Sequence, residues 1–292
     1  MPLILLALLS CTSPTARSSV EVVSLLNSGD LFTLRMTQGN TGIFAGQSTV
    51  RTHFWKRKQS ALAASIRGTK ADTVWTDERI AIGPQTMSIA PEKIETNIRA
   101  EEFSLRFLAT PKMSGCRHDS ESWFGEVVTL NADNTGWLQA EKNSAPLIGK
   151  SLVIRHGGEG QSPNETKWLI GLGSTTGLFY EERGDFSFGC LTVGNENIPL
   201  TGTMVQWTDT GAIIEAGKWK IDVVHTERYG TEDPFDHVSG IERTLATPVL
   251  STPANHWYRS VGTVTGPREF FLSLAYRHQG DSPPTVRKRR NK

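Results

Sequence analysis

Along most of the chain, apolar side chains recur at every second position over short runs, and each run ends in residues that turn the backbone. Phe103, Leu105 and Phe107 alternate with Ser104, Arg106 and Leu108, a spacing that gives a β-strand one buried face. Glu21–Leu26 and Leu31–Thr37 flank Asn27-Ser28-Gly29-Asp30, and Gly39–Gly42 turns the chain again before Ser48–Trp55, which predicts three early strands. Further strands are predicted at Thr73–Ile82, Met87–Ala90, Ile94–Ala100, Trp123–Leu130 and Gly136–Ala140, the last two parted by the turn formers Asn131-Ala132-Asp133-Asn134. The second half offers Ser151–Arg155, Lys167–Leu172, Leu178–Glu182, Phe186–Val193, Ile198–Trp207, Ala212–Ile214, Trp219–Thr226 and Gly240–Leu250. It closes on a hairpin whose arms, Trp257–Val264 and Phe270–Tyr276, bracket Gly266-Pro267.

Only Gln59–Ser65 predicts a short helix. A parallel α/β fold needs crossover helices that this pattern lacks. Short strands at regular spacing instead predict antiparallel meanders in a sandwich or barrel. The 27 Gly, 12 Phe and 8 Trp among 292 residues reinforce an all-β reading, and the length favours two domains. The divide is expected within 111–150, giving β domains at 20–145 and 146–279, a signal-like segment at 1–19 and a basic tail at 280–292.

Thirty-one Lys and Arg balance thirty Asp and Glu, a net charge of +1. No global field selects nucleic acid or an acidic substrate, so recognition is local. Lys56-Arg57-Lys58 has no aromatic interleaving and reads as a solvated loop. Leu3–Leu9 is too short to span a bilayer and fits the hydrophobic core of a signal peptide, although no Lys or Arg precedes it. Leu8-Leu9-Ser10-Cys11 resembles a lipoprotein cleavage box, which would make Cys11 a membrane tether. The expectation is an exported protein, or a cytoplasmic one if this segment is not a signal. Cys116 and Cys190 would then either pair in an oxidising compartment or stay separate buried thiols. Asn164-Glu165-Thr166 is a glycosylation acceptor in a eukaryotic host.

Three blocks carry a resemblance. Ser187–Asp209 (SFGCLTVGNENIPLTGTMVQWTD), Trp219–Val223, and the ordered set Trp257, Tyr258, Gly262, Val264, Gly266, Leu272, Leu274 and Tyr276 resemble lipocalin-like tandem-barrel proteins. These include carotenoid 1,2-hydratases, related exported putative hydrolases and fungal Diels-Alderases. The resemblance implies two lipocalin-like antiparallel β-barrels in tandem, with an apolar ligand site in or between them. It also implies cofactor-independent cyclisation (an isomerase) or hydration (a lyase) of an isoprenoid or polyketide-like molecule. The alternative is a non-catalytic carrier or lipoprotein for an apolar ligand.

Such chemistry needs a carboxylic acid or hydrogen-bond donors aimed at a polarised group. The candidates are Tyr180, Glu182, Asp209 and His225 for catalysis, and Trp207, Trp257 and Tyr258 for ligand contact. Each has a plainer reading: the tryptophans as core, Asp209 as a turn cap before Thr210-Gly211, and His225 as an ion-paired neighbour of Glu227 and Arg228. No nucleophile elbow, zinc-binding helix motif or phosphate loop is present. His156-Gly157-Gly158-Glu159-Gly160 reads as a flexible hairpin loop. His118-Asp119 and Asp233–His237 match no strong metal spacing, so neither metal nor cofactor is expected.

Overall fold

The computed structural model describes residues 16–39, 47–56, 62–101, 103–113, 115–120, 123–140, 143–159, 165–184, 186–203, 205–233 and 254–280. Cys11, Asn164, the predicted strand at 240–250 and the tail from 281 lie outside them. The alternation of apolar positions produces two antiparallel sheets. The first contains β1 (Ala16–Leu26), β2 (Leu31–Gly39), β3 (Gln47–Trp55), β4 (Leu62–Thr69), β5 (Thr73–Trp75), β6 (Arg79–Ile82), β7 (Gln85–Ala90), β8 (Lys93–Ala100) and β9 (Phe103–Thr110). It is completed by β10 (Arg117–Asp119), β11 (Trp123–Ala140), β12 (Asn143–Pro146) and β13 (Gly149–Glu159).

This sheet curls in the order β4-β3-β2-β1-β13-β11-β9-β8-β7-β6-β5 until β3 and β4 lie against β6, a nearly closed barrel. Gly68 on β4 makes the closure: a Cβ there would run into the Ile82 side chain. The interior is an apolar set that includes Val22, Phe32, Leu34, Phe54, Ile94 and Phe107.

The second sheet comprises β14 (Thr166–Leu172), β15 (Thr176–Arg183), β16 (Phe186–Val193), β17 (Glu196–Pro199), β18 (Val205–Thr208), β19 (Gly211–Ala216), β20 (Trp219–Glu232), β21 (Asn255–Thr265) and β22 (Glu269–Gln279). Its order, β17-β16-β15-β14-β22-β21-β20-β19-β18, leaves β17 and β18 as edges, so it is a half-barrel. The predicted closing hairpin, β21–β22, lies at the centre of this sheet, because β22 pairs with β14. A third apolar cluster is the seam, where the outer face of β1, β11 and β13 meets the outer face of β14, β15, β16 and β22. Each fully buried large side chain there contributes roughly 1.5–3 kcal/mol. Cys116 and Cys190 form a disulfide across this seam, from the segment before β10 to β16.

Four expectations are corrected. Ser151–Arg155 belongs to β13, which pairs with β1 and β11, so the first sheet runs past residue 145 to Glu159 and the second begins at Thr166. Ala16–Ser19, assigned to the leader, is part of β1. Trp123–Ala140 is one strand, because register shifts between Val127 and Ala132 absorb the turn formers, and Asn131 and Asn134 donate sideways to Gly173 O and Leu147 O. Leu62–Ser65 is strand: Leu62, Ala64 and Ile66 alternate toward the core, and pairing with β3 overrides the helical preference of an alanine-rich run.

Candidate functional site

In β14, β15, β21 and β22 consecutive residues point to opposite faces, so this four-strand wall presents one row of side chains to the seam and another to the second barrel. The seam row runs Glu181, Trp168, Arg277, Trp257, each directly opposite the next across the ladder. The barrel row beside it runs Tyr180, Leu169, Tyr276, Tyr258.

The seam row is buried and charged. Arg277 lays its guanidinium on Trp168 at 3.3 Å from the ring centroid and faces Trp257 at 5.5 Å. Its Nη1 donates to both oxygens of Glu21 at 3.0 and 3.1 Å, while Arg35 donates to the same carboxylate through Nε and Nη2 at 3.0 and 2.8 Å. Glu232 draws Arg35 and Arg51 at 3.7 and 3.9 Å. Burial pushes the Glu232 carboxyl upward, but Arg35 and the other nearby cations overcome it and hold it at about 2. Burial brings Arg277 down to about 10 against the pull of Glu21, so it remains a cation at neutral pH. Gly230 admits Trp55 from the first barrel, whose indole nitrogen lies 2.7 Å from where a Cβ would stand.

Next to this row, His156 Nε2 and Glu181 Oε2 are 2.8 Å apart, both side chains buried, and Arg183 donates to the other Glu181 oxygen. Burial depresses His156 more than Glu181 raises it, and Glu181 lies well below the usual carboxylate range because Arg183 and His156 outweigh its burial. The pair is therefore a carboxylate and a neutral imidazole, with Nε2–H donating to Glu181 and Nδ1 left as an acceptor. Trp123 stacks over His156 at 5.8 Å and Trp168 stands 5.3 Å away. Three buried donors in this neighbourhood, Arg277 Nε, Trp168 Nε1 and Trp123 Nε1, have no partner among the described residues. A neutral base, a cation and unsatisfied donors beside flat rings can take a proton from a substrate and stabilise charge building on an oxygen.

The residues singled out in the sequence divide between the two faces. Tyr180, Glu182, His225, Trp207 and Tyr258 gather in the second barrel. Glu182 accepts from Trp207 Nε1 at 2.9 Å, Lys167 Nζ at 3.1 Å and Tyr180 OH at 3.4 Å. Burial raises the Tyr180 phenol to about 12. His225 is a buried barrel residue bonded to Ser260, not an ion-paired surface group. Trp257 belongs to the seam row, so Trp257 and Tyr258 do not share a site. Asp209 is exposed in the turn between β18 and β19, and Arg228 is exposed, with His256 and Thr231 as its partners.

Sequence reasoning missed Glu21, Arg35, His156, Trp168, Glu181 and Arg277. His156, expected in a flexible hairpin loop, is instead extended in β13, where Gly157 leaves room for the Phe124 ring. The available signal was period two: once Glu182 is placed on one face, Glu181 belongs to the other.

No family model and no curated protein matches the sequence. Solved structures do match in shape. A candidate AttH from Nitrosomonas europaea is 11% identical, with a TM-score of 0.62 over 92% of this chain and 93% of that one. Kievitone hydratase from Nectria haematococca is 8% identical, with 0.58 over 94% and 92%. CghA with Sch210972 is 7% identical, with 0.64 over 92% and 88%. The chain has the lipocalin-like tandem-barrel fold. At these identities the shared property of this tandem-barrel protein and its neighbours is architecture, and its chemistry rests on its own side chains.

Proposed function

We infer that this tandem-barrel protein is a cofactor-independent enzyme that uses the seam between its barrels to transfer a proton on a hydrophobic small molecule, in a hydration or a cyclisation. One observation carries this reading: a neutral His156, oriented by the Glu181 carboxylate, shares a buried seam with Arg277 stacked on Trp168. In this reading His156 Nδ1 takes the proton, Glu181 orients the imidazole and steadies its charged form, and Arg277 with Trp168 polarises a substrate oxygen. The indoles of Trp123, Trp168 and Trp257 supply flat apolar walls for a polyene or polyketide-like skeleton. Structural likeness to a hydratase and to CghA with its bound small molecule supports this class without fixing the substrate. The seam disulfide supports placing the protein in an oxidising, exported setting.

The test is turnover of a panel of polyene alcohols, unsaturated ketones and diene-bearing polyketide mimics, followed by mass spectrometry and chiral chromatography. His156→Gln is expected to lower kcat by roughly 10²–10⁴-fold with little change in KM. Saturable binding of panel members with no product formed by the wild type would overturn the enzyme and leave the carrier.

A further inference from the structure

Outside the seam and the barrel interiors, one surface combines an exposed aromatic ring with convergent polar groups. Of the eight tryptophans Trp137 alone is exposed, at 60%. It stands on the outer face of the first barrel, where the ladders set Asn97, Arg106, Trp137 and Pro146 opposite one another across β8, β9, β11 and β12. The next row on that face is Arg99, Ser104, Gln139 and Ser144. Between the rows, Ile98, Leu105, Leu138 and Ala145 point the other way and pack in the barrel core.

Asn97, Arg99, Ser104, Arg106, Trp137 and Gln139 line a hollow of about 170 Å³ that opens onto this face. It admits one ring at a time, since drug-sized pockets run to roughly 300–1,000 Å³. Its surroundings are positive. On β8 and β9, Lys93, Arg99 and Arg106 face one carboxylate, Glu95, which already takes Lys93 at 2.6 Å and lies 3.8 Å from Arg106. Asp133, further along β11, is matched by Lys112 and Lys150.

Guanidinium groups grip a carboxylate through parallel hydrogen bonds, and amide and hydroxyl side chains both donate and accept. An indole in water offers flat apolar area to a partner with C–H groups on one face. A pyranose ring bearing a carboxylate presents all three counterparts: an apolar C–H face, hydroxyls around its rim and an acidic group. The rival partner is a bilayer, toward which Ile148, exposed just past β12, would continue the apolar strip from Pro146. The polar row beside Trp137 counts against it, because hydrocarbon leaves amides and hydroxyls unbonded, whereas sugar hydroxyls replace water bond for bond.

We propose that this outer face of the first barrel is a binding site for an acidic saccharide: Trp137 stacks on a sugar ring, Arg99 and Arg106 take its carboxylate, and Asn97, Ser104 and Gln139 meet its hydroxyls.

The test is calorimetric titration of the full chain with tetragalacturonate and, in parallel, with maltotetraose as the uncharged counterpart. Wild type is expected to bind tetragalacturonate saturably with a Kd below about 1 mM, several-fold more tightly than maltotetraose. Trp137→Ala is expected to weaken binding by about tenfold, and Arg99→Gln with Arg106→Gln to erase the preference for the acidic sugar. All three side chains are exposed, so these variants keep the fold. Absence of saturable binding by wild type, tetragalacturonate binding unchanged in Trp137→Ala, or equal affinity for the two sugars overturns the proposal. So does Trp137-dependent retention on vesicles of phosphatidylcholine and phosphatidylserine without tetragalacturonate binding, because the face then docks on a membrane. The hollow and the seam share no residue, so this titration and the turnover assay fail separately.

Discussion

The two faces of the β15–β14–β22–β21 wall are built from neighbouring residues and have opposite electrostatics. On the seam face, the buried ions Arg277, Glu21 and Glu232 and the half-buried Arg35 form a network in which Arg277–Glu21 and Arg35–Glu232 cross between the barrels. On the barrel face, phenols and a neutral imidazole bond within a single sheet, and the Lys167–Glu182 pair sits where water still reaches it. Buried ion pairs are costly to break, because removing one partner strands the other in a low dielectric. A neutral bond is worth far less. The seam face therefore specifies how the barrels dock, while the barrel face can change with modest loss.

The contrast is broken most severely at Arg277. Arg277→Met removes a cation from Glu21 and is expected to destabilise the protein by about 3–5 kcal/mol in urea denaturation. A loss below about 1 kcal/mol would mean that the seam does not hold the barrels in register. Next comes the disulfide: the Cys116→Ser, Cys190→Ser double variant opens a cross-link spanning 74 residues and is expected to lose about 2–4 kcal/mol. Its seam should also loosen, read as increased acrylamide quenching of tryptophan fluorescence.

Acidity separates the faces. His225, lowered from 6.5 to about 4, refuses a proton that the unfolded chain accepts, so stability falls as pH drops through that interval, by on the order of 3 kcal/mol. His225→Phe is expected to flatten this window in pH-resolved melting curves, apart from the shares that His156, His256 and His278, also lowered by burial, retain. Glu232 acts lower: its stabilisation is complete above 4.5 and is lost as pH falls toward about 2. The smallest effect is expected at Tyr276→Phe, about 1 kcal/mol for the lost bond to His278. A larger cost would show that the barrel face is as structurally committed as the seam.

Local periodicity made most strands legible, including the hairpin of Trp257–Tyr276, because period two and turn residues are local signals. The seam was not legible. Glu21 meets Arg277 only because β1 and β22 belong to sheets that dock face to face, and no local pattern encodes that docking. Trp257 and Tyr258 show the limit sharply: adjacent aromatic residues suggest one platform, yet a strand sends them to opposite sides. Asn131 and Asn134 mislead for the converse reason, since their turn chemistry is spent on carbonyls of Gly173 and Leu147.

The pairing of β1 with β13 has a consequence for the order of assembly. Ala16 lies opposite Glu159, so β1, the earliest of the described strands, is held on one side by β13, the last strand of its own sheet. At translation rates of roughly 5–20 residues per second, β1 waits on the order of ten seconds for that neighbour. During that wait the nascent barrel keeps an open strand edge, available to a chaperone or to another chain. The long-range contact also raises contact order, which marks the pairing of β1 with β13 as a late and slow folding step.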